Sequence, residues 1–230
     1  MTPAARVQAA IEILDQIAAG AASEQALTRW ARGARYAGSK DRAAVRDHVF
    51  DVVRCRRSYG ARGGGSDGRA LMIGALRAHQ TPLDALFSGA PHAPAPLTDA
   101  EQARGDAPDG AAAMDLPDWL WPEFQTSLGA QAKSAARALQ TRAGVHLRVN
   151  LARTTCAEAI AALATDGIEA HPHPAAETAL AVTEGARKVR QAHAYSDGRV
   201  ELQDAASQAL ALAIPVQAED RFLDYCAGGG

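Results

Sequence analysis

Apolar residues in the first part of the chain recur at helical spacing. Val7, Ile11, Leu14 and Ile17 fall at steps of four, three and three, which lays one stripe along a helix. Val45, Val49, Val52 and Val53 repeat the pattern and predict a second helix, running over about 41–58. Leu71, Ile73 and Leu76 suggest a third, beyond the glycine-rich break GARGGGSDG at 60–68. The pattern lapses over PHAPAPLTDAEQARGDAPDGAAAMDLPDW (91–119). Prolines, small residues and scattered acids offer little to bury there, so a solvated linker is expected. Helical character returns between Ala130 and Arg142.

Beyond Gly144 the period changes. VHLRVNL (145–151) alternates and carries β-branched residues, as a strand does. Thr155 and Glu158 have the spacing of a capping box that opens the helix CAEAIAALA, and Gly167 closes it. IEAHPHP, TALAVTE and RVELQ are further short extended candidates, with Ser196-Asp197-Gly198 as a turn. DAASQALALA forms a helix with Asp204 near its start, which Pro215 ends. RFLDY (221–225) is then a strand that enters the glycine loop CAGGG. The order is a helical block, a linker, a small mixed segment, and the first strand of something larger.

Composition narrows the function classes. Alanine is abundant and aromatics are only 5% of 230 residues, a balance that favours helix. The formal net charge is −2, which excludes a uniformly basic nucleic-acid binder but leaves local patches open. The apolar run at the amino terminus is too short for a secretory core, and no apolar stretch is long enough to span a membrane. The three cysteines are too scattered for a disulfide framework or a CxxC metal site, so a reducing, cytoplasmic setting is expected.

Charge is locally uneven. Between Arg29 and Arg62 stand ten basic residues against three acids, Asp41, Asp47 and Asp51. On the expected 41–58 helix, Arg46, Arg54 and Arg57 fall to one side of the valine stripe and are candidate contacts to an RNA backbone. The competing reading is an ordinary solvated helix face. His171 and His173, two apart on an extended segment, could both face a metal, but no third ligand is apparent and no metal site is expected. Structural roles are expected for Cys55 and Cys156. Glycines let backbone amides approach a ligand closely. Cys226 with Ala227, Gly228, Gly229 and Gly230 at the end of a strand therefore reads on composition either as a ligand loop or as a flexible tail, and not as a nucleophile site. A dinucleotide GxGxxG spacing is absent, and a Rossmann dehydrogenase would need an acid about 20 positions further on.

The order of LRVN (147–150), a helix, LQDAASQ (202–208) and FLDYCAGGG (222–230) resembles the Sun/Fmu family, the RsmB-type RNA cytosine-C5 methyltransferases. The likeness runs over 117–230, including PDWLW (117–121). A weaker likeness to NusB-type helical RNA-binding domains rests on DRAAVRDHVFDVVR (41–54). The resemblance implies an α-helical NusB-like domain at 1–90, a linker at 91–118 and a small α+β pre-catalytic segment at 119–200. It also implies the start of a truncated Rossmann-like α/β methyltransferase domain at 201–230. S-adenosyl-L-methionine is the implied cofactor, with Cys226, Ala227, Gly228, Gly229 and Gly230 on its loop and Asp224 ordering the turn before it. Gln203, Asp204 and Ser207 would support that loop. One departure stands out: Gly229 occupies a position where the family usually carries proline. The family's reacting cysteines lie downstream of this loop, so the chain is expected to bind ribosomal RNA of the small subunit as a monomer, inactive without the rest of the enzyme. The alternative is a NusB-like RNA-binding or antitermination module without chemistry.

Overall fold

The computed structural model describes residues 1–103, 105–217, 219–221, 223 and 225. The chain divides into two units, Met1–Arg142 and Ala143–Gly230. The first is helical. It comprises α1 (Pro3–Ala18), α2 (Ser23–Gly33), α3 (Ser39–Arg54), α4 (Arg56–Gly63), α5 (Gly68–Ala78), α6 (Asp99–Ala103), α7 (Gly110–Ala113), α8 (Leu120–Leu128) and α9 (Ala132–Leu139). Thr2 caps α1 by accepting from the Ala5 amide, and Asp67 caps α5 by accepting from Ala70.

Val7, Ile11 and Leu14 of α1 meet Val45, Val49 and Val52 of α3 and Leu71, Met72, Ile73 and Leu76 of α5 in one buried cluster. Val53 does not join it. It is exposed, because the interior face of α3 is already filled by the valines at 45, 49 and 52. The expected helix over 41–58 is in fact two. Cys55 takes φ −112° and ψ 31°, which ends α3 and starts α4 in a new direction. The glycine-rich break is likewise shorter than its sequence suggests, since α4 continues through Gly63.

The glycines of α4 and α5 have a packing purpose. A Cβ built on Gly74 would lie 1.8 Å from the Tyr59 carbonyl oxygen, and one on Gly63 would lie 1.8 Å from that of Ala70. The two helices touch backbone to backbone, and no side chain fits between them.

The Pro- and Ala-rich stretch after α5 is not a free linker. Arg69 reaches the carbonyls of Ala95 and Pro96 at 3.1 and 3.0 Å and pairs with Glu101 through Nε at 2.6 Å. Arg77 donates to the carbonyls of Arg62 and Glu101 at 2.6 and 2.5 Å. Arg57 donates to the Leu116 carbonyl and pairs with Asp118 at 2.7 Å. Asp115 accepts from the Ser58 amide at 2.8 Å and from Gln140 at 2.6 Å. Leu116 is buried beneath these contacts. Composition suggested a tether because the segment has few apolar side chains; guanidinium donors on the neighbouring helices replace them.

The second unit is a four-stranded antiparallel sheet with helices. It contains β1 (Val145–Val149), α10 (Cys156–Thr165), β2 (Glu169–Pro172), β3 (Ala179–Glu184), a 3-10 segment (Ala186–Gln191), α11 (His193–Ser196), β4 (Val200–Leu202) and α12 (Ala205–Leu212). The strand order is β2-β3-β1-β4, with Leu147 opposite Leu180 on one side and Leu202 on the other. One face of the sheet buries Leu147, Val149, Leu180 and Val200 against Ala159 and Leu163 of α10 and Val189 of the 3-10 segment. The capping box forms as its spacing requires: Thr155 accepts from the Glu158 amide, and Glu158 accepts from that of Thr155. The expected RFLDY strand takes in Phe222 and Asp224, which lie outside the described residues.

Two outcomes test this packing. Gly74→Ala lowers the stability of the helical unit by about 1–3 kcal/mol, since the added Cβ forces the two backbones apart. Gly33→Ala, with open space around its Cβ, leaves stability unchanged or raises it by up to ~1 kcal/mol. Denaturant titration followed by circular dichroism separates the two. The second outcome concerns Glu101. Hydrogen bonds from the Arg69 guanidinium, followed by those from Thr98, hold its carboxyl at about 2, below its ordinary 4.5. A depressed carboxyl contributes stability that is full above the unfolded value and disappears as pH falls through the folded one. The helical unit therefore weakens between pH 4.5 and about 2, and Glu101→Gln flattens that part of a stability–pH curve.

Candidate nucleic-acid interface

The arginine cluster separates into two groups once the helices are placed. One group is spent on internal contacts. Arg46 of α3 forms a two-pronged pair with Glu24 of α2, one prong at 2.8 Å, and its guanidinium lies 4.8 Å from the Phe50 ring centre. This hydrogen bonding holds the Glu24 carboxyl below its usual range and raises Arg46 above its own. Arg54 is half-buried and pairs with Asp51 at 3.4 Å. Arg57 staples the segment around Leu116 and Asp118, and because of the break at Cys55 it sits on α4, not on the helix of Arg46 and Arg54. The three arginines expected to share one RNA-facing side thus sit on two helices, and each has an acidic partner.

The second group points outward. Arg29 and Arg32 on α2, Arg35 in the turn that follows, Lys40 at the start of α3 and Arg56 at the start of α4 are exposed and form no ion pair with a described residue. Arg42 donates to the Ala34 carbonyl at 3.5 Å, which ties α3 to that turn. The turn is rigidly held: Ala34 and Ala37 are buried at 3% and 4% exposure, and their amides donate to the carbonyls of Trp30 and Ala34. Tyr36 between them is 73% exposed. Sequence spacing could not find this grouping, because the free cations flank a turn rather than a helix stripe.

In the second unit, LQDAASQ runs from the last residue of β4 into the first turn of α12. Gln208 is 2% exposed and fully used. Its Oε1 accepts from Thr178 Oγ1 at 2.8 Å, and its Nε2 donates to the carbonyls of Leu147 and Gln203 at 3.2 and 3.1 Å. That single amide fastens α12 across β1 and the entry to β3. Asp204 caps α12 through the Ala206 amide at 2.8 Å and lies 3.2 Å from His146 Nδ1. These contacts, the backbone donor first, keep its carboxyl below the usual range. His146 in turn packs on His173, with ring centres 4.9 Å apart. Gln203 has a buried Oε1 without a partner among the described residues, and Ser207 is exposed. Of LQDAASQ, the role of Gln208 was not anticipated; its only sequence signal is a polar residue on the apolar side of a short helix.

No set of three potential ligands that could hold a metal occurs among the described residues. His171 Nδ1 lies beside its own chain at Pro172, and His173 Nδ1 accepts from the Ala175 amide. Cys55 is buried, with its thiol directed at the Gln140 carbonyl, and burial pushes that thiol up to about 11. Such a group is protonated at neutral pH and is no nucleophile. The loop residues Cys226, Ala227, Gly228, Gly229 and Gly230, and Asp224 before them, lie outside the described residues.

Residues 116–189 match the RsmF/B-like methyltransferase ferredoxin-like domain, in agreement with the strand order and the sheet-plus-helices layout. Through this part the chain is similar to RsmF/B-like methyltransferases. It is 34% identical over 114 residues to the ribosomal RNA small subunit methyltransferase B of Xanthomonas campestris, covering 50% of this chain and 26% of that protein. To the protein of the same name from Vibrio cholerae it is 36% identical over 114 residues, again 50% of this chain and 26% of the relative. The matched stretch therefore spans about a quarter of the length of these relatives. The crystal structure of PH0851 shares the fold at 15% identity, with a TM-score of 0.56 over 88% of this chain and 53% of that one.

Replacing Gln208 tests the fastening of α12. Gln208→Leu leaves the Thr178 hydroxyl and two carbonyls without their partner and destabilises the second unit by about 1–3 kcal/mol, read as a lowered denaturation midpoint.

Proposed function

We propose that the chain is the RNA-binding, amino-terminal part of an S-adenosyl-L-methionine-dependent cytosine-C5 methyltransferase acting on small-subunit ribosomal RNA. The observation that carries this reading is the match of residues 116–189 to the RsmF/B-like ferredoxin-like domain, followed in sequence by LQDAASQ, which Gln208 fastens to β1. The relatives named for methylation of small-subunit ribosomal RNA support the substrate class.

In this reading the helical unit is a NusB-like module that grips RNA electrostatically, and the ferredoxin-like unit orients it. Cys226, Ala227, Gly228, Gly229 and Gly230 belong, in this reading, to the S-adenosyl-L-methionine site of a Rossmann-like domain. Covalent catalysis on cytosine needs an ionisable thiol near the base, and Cys55, buried and with its proton held tightly, does not supply one. Binding and placing the RNA is then the task of the residues described here, working outside the cell's membranes as a monomer.

The test pairs binding with transfer of labelled methyl groups. Residues 1–230 bind small-subunit ribosomal RNA with an affinity that falls steeply as salt rises, and they transfer no methyl group. The longer protein from the same gene labels C5 of cytosine. RNA binding without labelling by the longer protein would instead favour a binding or antitermination module.

A further inference from the structure

Beside the turn that carries Tyr36 lies a groove of about 1050 Å³. Gln8, Glu12 and Asp15 of α1 line one side, and Arg69, His92 and Tyr36 line others. Tyr36 is 73% exposed, and its phenol has no hydrogen-bond partner among the described residues. A large aromatic ring left this open on a well-packed turn contributes nothing to the core. Arg35 adjoins it in sequence, and Arg32 and Lys40 flank the same turn, all three exposed and none in an ion pair with a described residue. A positive rim around an open ring, next to a groove with hydrogen-bonding side chains, has the chemistry of a site for an unstacked base and its phosphates.

We infer that Tyr36 and the adjoining groove form a single-stranded RNA site, with a base stacked on the Tyr36 ring and the flanking phosphates against Arg32, Arg35 and Lys40. The inference rests on the RNA-binding reading given above and assigns that binding to one place. Charge decides the occupant. Arg32, Arg35 and Lys40 flank the turn at Tyr36 while the groove's own lining carries Glu12 and Asp15, so phosphates are favoured at the turn and not in the groove, and the flat exposed ring favours a nucleobase over a carboxylate side chain. Inside the groove, Glu12 already accepts from Gln8 at 2.9 Å and presents acceptor oxygen to a base edge, while phosphate is excluded from that wall by like charge. Duplex RNA keeps its bases stacked and cannot use the ring. Arg69 lines the groove with its guanidinium already committed to Glu101 and the Pro96 carbonyl, so it shapes the wall and does not recruit phosphate.

Fluorescence anisotropy of a labelled single-stranded oligouridylate, with the whole 230-residue chain and a salt series, tests the site. Tyr36→Ala weakens binding by ~5- to 150-fold, the range for loss of one base–aromatic stack, with an unchanged salt slope. Tyr36→Phe retains the parental affinity, because the ring is kept. Arg35→Ala weakens binding and lowers the salt slope by about 1. A duplex of the same length binds less tightly and does not respond to Tyr36→Ala. If the parent chain binds the single strand and Tyr36→Ala binds equally well, the inference is overturned while the RNA-binding reading stands. If the parent binds no RNA, or binds a polyglutamate peptide in preference to it, both are overturned. Circular dichroism of each variant confirms that the helices persist.

Discussion

A guanidinium carries five donors in a fixed fork, and one that is partly withdrawn from water must find oxygen for them. That requirement organises the helical unit. Arg57, Arg69 and Arg77 lie on α4 and α5, close to a stretch of chain with few apolar side chains to bury. Each turns its fork to carbonyl or carboxylate oxygens of that stretch: Leu116 and Asp118, then Ala95, Pro96 and Glu101, then Glu101 again. The segment is thereby fixed to the unit by charge-assisted hydrogen bonds. The same requirement removes arginines from the surface available to a ligand. What is left outside stays available to a partner.

The glycine contacts of α4 and α5 make this arrangement possible. With Gly63 and Gly74 allowing the two backbones to touch, Arg57 on α4 and Arg69 and Arg77 on α5 stand on one tight pair of helices. Their forks converge on a single passing segment. A Cβ at either glycine would separate the helices by forcing backbone against side chain, and the stapling geometry would shift with them. The ferredoxin-like unit solves its own fastening with a neutral group. Gln208 is buried, and an amide with both a donor and an acceptor end can satisfy a hydroxyl and two carbonyls at once. No charge has to be desolvated for it, which suits a site almost closed to water.

Much of the second unit was readable from residues alone. Alternation in VHLRVNL, the Thr155–Glu158 spacing and the position of Asp204 each specify a local structure that the chain adopts, because each depends on neighbours in sequence. The helical unit was readable where one apolar stripe sufficed, as in α1. It was misleading at Cys55, since the sequence 41–58 carries no proline or glycine before Gly60 to announce a break. The segment at 91–118 misled for a related reason: composition counts apolar side chains, and its attachments are made by distant arginines through backbone oxygens. The charge cluster itself was visible as an excess of basic residues. Which members are free was not, because pairing depends on acids such as Glu24 and Asp118 that lie outside the window and meet it only in the folded chain.

On the proposed RNA-binding reading, the distribution of the unpaired cations matters more than their number. The whole chain is slightly acidic, at −2, so a polyanion gains nothing by approaching it at random. In that reading, repulsion from the acidic remainder and attraction to Arg32, Arg35 and Lys40 would act together to turn the side that carries these cations toward the nucleic acid. Such a dipolar surface orients a partner before any contact forms, and the contacts then have only to hold what the field has delivered. A uniformly basic surface would hold a polyanion in many registers, and the uneven one restricts them.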